Sequence, residues 1–202
     1  MNHRPLFICI AAGLLAASLP SWTLAQTAAK PSTQAKKTTK QPAKPKEEPA
    51  PTQVAGPAPS LVAQYGDWGV YVSQSPKTKI CYALSQPKDR QPGGLKRDAG
   101  YFFISSRPAE NVRNEVSVIV GYAIKDGADA TVEVGTASFP FFTKNDGAWM
   151  KNAAEEARLV DAFRKGRDFS VKSTSQRGNA TNDRYSLAGI GQALDRVAQE
   201  CK

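Results

Sequence analysis

The sequence predicts a mainly β domain of the α+β class, an antiparallel β-sandwich or barrel-like fold with two helices. Three observations predict it. Short runs of aromatic and β-branched residues recur between turn-forming clusters from position 67 to 143, as antiparallel strands require. Two stretches, about 153–165 and 190–200, space their apolar residues at helical intervals instead. Two cysteines, Cys81 and Cys201, lie near opposite ends of the same domain, so one disulfide would staple the C-terminal helix to an early strand.

The elements follow in order. Residues 67–73 (DWGVYVS) and 79–86 (KICYALSQ) flank a turn-like 74–78 segment and read as a hairpin. Residues 101–105 and 115–124 read as further strands, with Val116, Val118, Val120, Tyr122 and Ile124 alternating onto one face. Asp126-Gly127 supports a turn into 131–134. Residues 138–143 form another strand, which Pro140 places at an edge or a bulge. Asn145-Asp146-Gly147 marks the next turn.

The first helix opens on Asn152 as N-cap, with Glu155 three residues on. Ala153, Ala157, Val160 and Phe163 make its inner stripe, Asp161 and Lys165 an outer i,i+4 pair, and Gly166 its stop. Residues 168–175 return to strand with Phe169 and Val171 inward, and 183–187 form the last strand. Gly189-Ile190-Gly191 then opens the final helix and lets it pack closely.

On that helix Ile190, Leu194, Val197 and Cys201 share one face. On the early strand Cys81, Ala83 and Ser85 share one face, and Ile80, Tyr82 and Leu84 the other. The small face admits a close helix, so the last helix is expected there. The aromatic and aliphatic face is then expected against the other strands.

Three segments divide the chain. Residues 1–25 read as a cleaved signal peptide: Arg4 precedes an apolar run over 6–19, and Thr23-Leu24-Ala25 offers a small-residue cleavage site. That run falls short of the roughly 20 residues that span a bilayer, and no other stretch suits a transmembrane helix. Residues 26–60 hold six lysines, two glutamates, several prolines and no aromatic residue. Such a segment cannot bury enough surface to offset its ordering entropy. It reads as a disordered basic tether, either a plain spacer or one that also touches anionic envelope polymer or lipid headgroups. Residues 61–202 are long enough for one domain with a core. An exported chain left with two cysteines most simply joins them, in a compartment that permits disulfides.

Much chemistry is excluded. The single histidine, His3, lies in the leader, which removes Ser-His-Asp and Cys-His catalysis and the commonest metal ligand from the mature chain. There is no CxxC pair and no phosphate-loop motif. No cofactor, metal or catalytic residue is therefore assigned. The net charge of +9 comes without any nucleic-acid-binding motif, so no nucleic-acid partner is expected. Carboxylate pairs such as Asp67 with Asp98, or Glu155 with Glu156, are the remaining route to enzyme chemistry on a glycan. The most polar loop, 87–100 (PKDRQPGGLKRDAG), offers Lys88, Arg90, Lys96 and Arg97 as a candidate contact for an acidic partner.

Several motifs occur in a fixed order: Tyr65-Gly66-Asp67-Trp68, Cys81-Tyr82-Ala83-Leu84-Ser85-Gln86-Pro87, Asp146-Gly147-Ala148-Trp149, Arg164-Lys165-Gly166, Asp183-Arg184-Tyr185-Ser186-Leu187-Ala188-Gly189, Gln192-Ala193-Leu194-Asp195-Arg196 and the terminal Cys201. The set resembles the invasion-associated locus B family of exported proteins, chiefly alphaproteobacterial. Many members carry a further cysteine where this chain has Val72. The resemblance implies a periplasmic, secreted or outer-surface protein, and in one pathogen a link to host-cell invasion; it supplies no catalytic residues. The expectation is a non-enzymatic envelope protein that binds a protein or an envelope polymer. A glycan-acting enzyme and a surface adhesin are the alternatives.

Overall fold

The computed structural model describes residues 58–202. The expected signal peptide and nearly all of the expected tether lie outside the described residues.

The chain runs β1 (Ser60–Tyr65), β2 (Trp68–Gln74), β3 (Lys79–Ser85), β4 (Asp89–Gln91), β5 (Tyr101–Arg107), β6 (Val112–Ile119), β7 (Ala130–Val134), β8 (Ala137–Lys144), β9 (Gly147–Met150), α1 (Glu156–Lys165), β10 (Asp168–Thr174), β11 (Ala180–Ser186) and α2 (Ile190–Glu200). The strands form one antiparallel sheet in the order β1-β2-β3-β5-β6-β9-β8-β7-β10-β11-β4. The sheet is sandwich-like and not closed. It folds over its own aromatic core, where Phe102 of β5 lies 4.6 Å from Phe169 of β10 and 5.6 Å from Tyr185 of β11. Trp68 and Phe163 complete this cluster.

The two ends of the sheet meet at a glycine contact. The β1–β2 turn presses on the β11–α2 junction, where Asp67 N–H donates to Ala188 O and Trp68 Nε1 donates to Ser186 O. Gly66 and Gly189 both have positive φ there, and a Cβ on either would strike backbone of the other segment. No other residue type fits that approach.

Helix α2 packs on the small-residue face of β3 as expected. Cys81, Ala83 and Ser85 are buried, as are Ile190, Leu194, Val197 and Cys201. Cys81 and Cys201 form a disulfide across a separation of 120 residues. The opposite face of β3 differs from expectation. Ile80, Tyr82 and Leu84 are half-buried on the outside of the sheet, because β3 is internal and the core already lies on its Cys81 side. Tyr82 stacks there on Tyr71 of β2, centroids 5.4 Å apart.

Other expectations need correction. Strands β1, β4 and β9 were not expected; β4 and β9 have only three and four residues, and β1 begins at the end of the expected tether. Strand β6 ends at Ile119, short of 124, because Gly121 takes φ +72° and breaks the ladder. Strand β8 is internal, not an edge or bulge. Pro140 is tolerated because the β9 ladder stops at Phe141↔Met150, leaving no strand bond for its missing N–H. The first helix opens with a 3₁₀ turn, Ala153–Glu155, capped by Asn152 as expected. Ala153 and Ala157 are exposed; Leu159, Val160 and Phe163 form the buried stripe. Asp161 and Lys165 form no ion pair, and Arg164 reaches Asp195 of α2 instead. Gly166 stops the helix by close packing under Leu187 and Val134, in an extended conformation rather than a left-handed one.

Candidate functional site

The polar loop between β3 and β5 turns mostly inward. Lys88 pairs with Asp67, and the Lys88 ammonium holds the Asp67 carboxyl below its ordinary range. Arg90 and Arg97 close on Asp183 of β11, which is fully buried. Arg90 also donates to Asp98 O at 2.7 Å and Val120 O at 2.6 Å. Arg97 donates to Arg90 O at 2.8 Å and Pro92 O at 3.0 Å. Both guanidiniums are thus consumed in holding the loop to the sheet. Burying such a charge requires this degree of pairing. Of the four candidate contact residues, Lys96 alone is exposed without an ion pair.

Lys96 lines a groove of about 600 Å³ with Tyr122, Gln176, Arg177 and Asn179. Three chain segments build it: the Lys96–Asp98 end of the loop, residues 121–123 after β6, and the turn between β10 and β11. Arg177 has no ion pair, and no hydrogen bond engages the Gln176 and Asn179 side-chain amides, among the described residues. Tyr122 is fixed from below, its hydroxyl 2.7 Å from Ser173 Oγ and 2.5 Å from Thr181 Oγ1. The groove therefore gathers two uncommitted cations and two amides over a pinned tyrosine, with the Asp98 carboxylate on the side it shares with a neighbouring groove. That inventory suits an anionic group, which guanidinium and amide donors bind directionally.

A second groove of about 420 Å³ adjoins it and holds Asp98, Asp126 and Asp146. All three are exposed at its rim, and Tyr122 is the one aromatic residue along it. A further depression over β10 and β11 includes Lys172 and Asp129, but these pair with Glu133 and Lys151. The expected carboxylate pairs are committed elsewhere: Asp67 to Lys88, Glu155 to Arg158, and Glu156 to the Val116 N–H. Burial pushes the Glu156 carboxyl up and the nearby Glu115 carboxylate adds to the rise, but Glu115 is itself held by Arg107. No group of three His, Cys, Asp or Glu side chains could hold a metal among the described residues.

Sequence reading missed Arg177, Asp126, Asp146 and Tyr122. The polar turn Ser175-Gln176-Arg177-Gly178 was the available signal for the first, but nothing in the sequence announces that it meets Lys96.

The invasion-associated locus B family model matches residues 68–198, more than half of the chain. The chain belongs to this family. Its fold agrees with the crystal structure of invasion associated protein B from Bartonella henselae, at 17% identity and a TM-score of 0.51, over 69% of this chain and 97% of that one. At that identity the likeness concerns the fold. No curated protein matched the sequence. Val72 lies directly opposite Cys81 in the β2–β3 ladder, and Cys81 is joined to Cys201. No helix among the described residues is long and apolar enough to cross a membrane.

Proposed function

We propose that this invasion-associated locus B protein is an exported, non-enzymatic envelope protein that binds an acidic group of a protein or envelope polymer. The observation that carries the reading is the convergence of Lys96 and Arg177, both without ion pairs, on one groove with the free amides of Gln176 and Asn179. The leader and family membership support export, with the periplasm as the working compartment. Protease shaving of intact cells separates the periplasm from an outer-surface adhesin. A contribution to host-cell invasion or envelope integrity follows only if the bound component takes part in either.

The test is binding of the full chain to polyglutamate, followed as a function of salt. Lys96→Glu with Arg177→Glu is expected to weaken binding by about threefold to tenfold, the range of two partly exposed ionic contacts. Polyglutamate binding that ignores both substitutions rejects the groove as the contact.

A further inference from the structure

The basic and acidic grooves are one trough. They share Asp98, Gly121, Tyr122, Ala123 and Gln176. Lys96 and Arg177 stand toward one end, Asp126 and Asp146 toward the other. None of these four side chains enters an ion pair among the described residues, and Asp98, which both grooves share, lies between the two ends.

The floor has an unusual backbone. Residues 121–123 have left the β6 ladder. Gly121 O accepts from Asp98 N–H at 2.9 Å, and Ala123 O accepts from Gln176 N–H at 2.8 Å. Between them, the N–H and C=O of Tyr122 take no hydrogen bond from the described residues. The Tyr122 side chain is meanwhile locked by Ser173 and Thr181. Arg90 holds both flanks by binding Asp98 O and Val120 O. A Cβ on Gly121 would lie 2.4 Å from Asp98 O, so the close approach that shapes this floor depends on glycine. Tyr122 lies in a bend past the end of β6, and its open N–H and C=O can each take a hydrogen bond from the backbone of an extended peptide.

We infer that the trough binds an extended peptide segment, with its carboxylate end at Lys96 and Arg177, its amine or guanidinium end at Asp126 and Asp146, and its backbone on Tyr122. The inference rests on the reading under Proposed function and adds the acidic end and the peptide chemistry. A simple polyanion uses only half of this surface. Opposed charges at the two ends also fix the direction in which a peptide lies, because the reversed orientation sets like charges together.

The experiment uses the full chain and two fluorescein-labelled peptides of equal length, Glu-Glu-Ala-Ala-Lys-Lys and all-glutamate, read by fluorescence anisotropy. The mixed peptide is expected to bind more tightly to the wild type. Asp126→Lys with Asp146→Lys is expected to weaken the mixed peptide by about threefold to tenfold and to leave or strengthen all-glutamate binding. Lys96→Glu with Arg177→Glu is expected to weaken both. All four positions are exposed, and unchanged thermal midpoints show that each variant folds. Hydrogen exchange at the Tyr122 amide is expected to slow when the mixed peptide binds.

If the aspartate substitutions do not affect the mixed peptide while the cation substitutions do, the site takes anions only; the inference falls and the proposed function stands. If neither pair matters, both fall. Unchanged exchange at the Tyr122 amide under saturating mixed peptide rejects the backbone contact at Tyr122.

Discussion

Arg90 grips Asp183 through a single carboxylate oxygen: Nε and Nη2 of the arginine both donate to Oδ2, at 3.0 and 2.9 Å. The other oxygen, Oδ1, goes to Arg97 at 3.2 Å. The pair joins β11 to the edge strand β4, and through Arg90 it reaches the backbone on both sides of Gly121. This ion cluster therefore links the outermost strand of the sheet to the floor of the trough.

Removing the buried acid strands two guanidiniums. Asp183→Ala is expected to cost about 3–5 kcal/mol, the range for breaking a buried pair by deleting one partner. Arg97→Ala is expected to cost less, because Arg90 still pairs with Asp183. Urea unfolding with an unchanged slope measures both. If Asp183→Ala lies within about 1 kcal/mol of the wild type, the cluster contributes little to holding β4.

The Cys81–Cys201 link closes a loop of 120 residues. In the chain-entropy account a loop of this length contributes about 4–5 kcal/mol, chiefly by restricting the unfolded chain. Cys201→Ala is expected to lower the urea midpoint strongly while α2 stays docked through Ile190, Leu194 and Val197. A thiol assay on mature, unreduced protein, without Cys9 of the expected leader, is expected to find neither Cys81 nor Cys201 free; two titrating thiols would remove the staple.

Gly66 and Gly189 lock the folded-over sheet. A Cβ on Gly189 would stand 2.0 Å from Tyr65 O, and one on Gly66 2.5 Å from Ala188 O, with both residues at positive φ. Gly189→Ala must then move backbone as well as adopt a strained conformation, and is expected to cost more than about 2 kcal/mol. Gly127→Ala is the control, since it has the same sign of φ and nothing near its Cβ; it pays conformational strain alone. Equal melting points for the two variants would show that the Gly66–Gly189 contact is loose.

What the sequence revealed follows from range. Local periodicity found β2, β3, β10 and α2, because alternation and helical spacing are properties of consecutive residues. The Cys81 face was legible because small side chains alternate with large ones. Which face of β3 met the core depended on the helix, so Tyr82 and Leu84 were misassigned from the same pattern. The trough was hidden for a related reason. Lys96, Tyr122 and Arg177 lie on three separate connections that meet only after the sheet folds, and charge composition does not separate Lys96 from Arg97, which the fold consumes.

Besides Asp67, two glutamates that behave oppositely shape the acid limb of stability. Arg107 donates to Glu115 at 2.6 and 3.0 Å, and these hydrogen bonds hold its carboxyl below the ordinary range. Burial raises the Glu156 carboxyl above that range, although the Val116 N–H donates to it at 3.2 Å. For Glu115, whose folded value is depressed, stabilisation is present above the ordinary carboxylate value and is lost as pH falls through the lower folded value. For Glu156, whose folded value is raised, the sign reverses: a cost develops as pH rises from the ordinary value through the raised one. Glu115→Gln is therefore expected to lower the melting temperature at neutral pH and to converge with the wild type in acid. Glu156→Gln keeps an acceptor for Val116 and is expected to raise the melting temperature at neutral pH, again converging in acid. Both side chains are partly solvated, so each effect stays within about 1 kcal/mol, a shift of a few degrees. Melting curves across the acid range decide the matter. A Glu156→Gln variant less stable than the wild type at neutral pH would mean that the charged form is favoured there, against the desolvation argument.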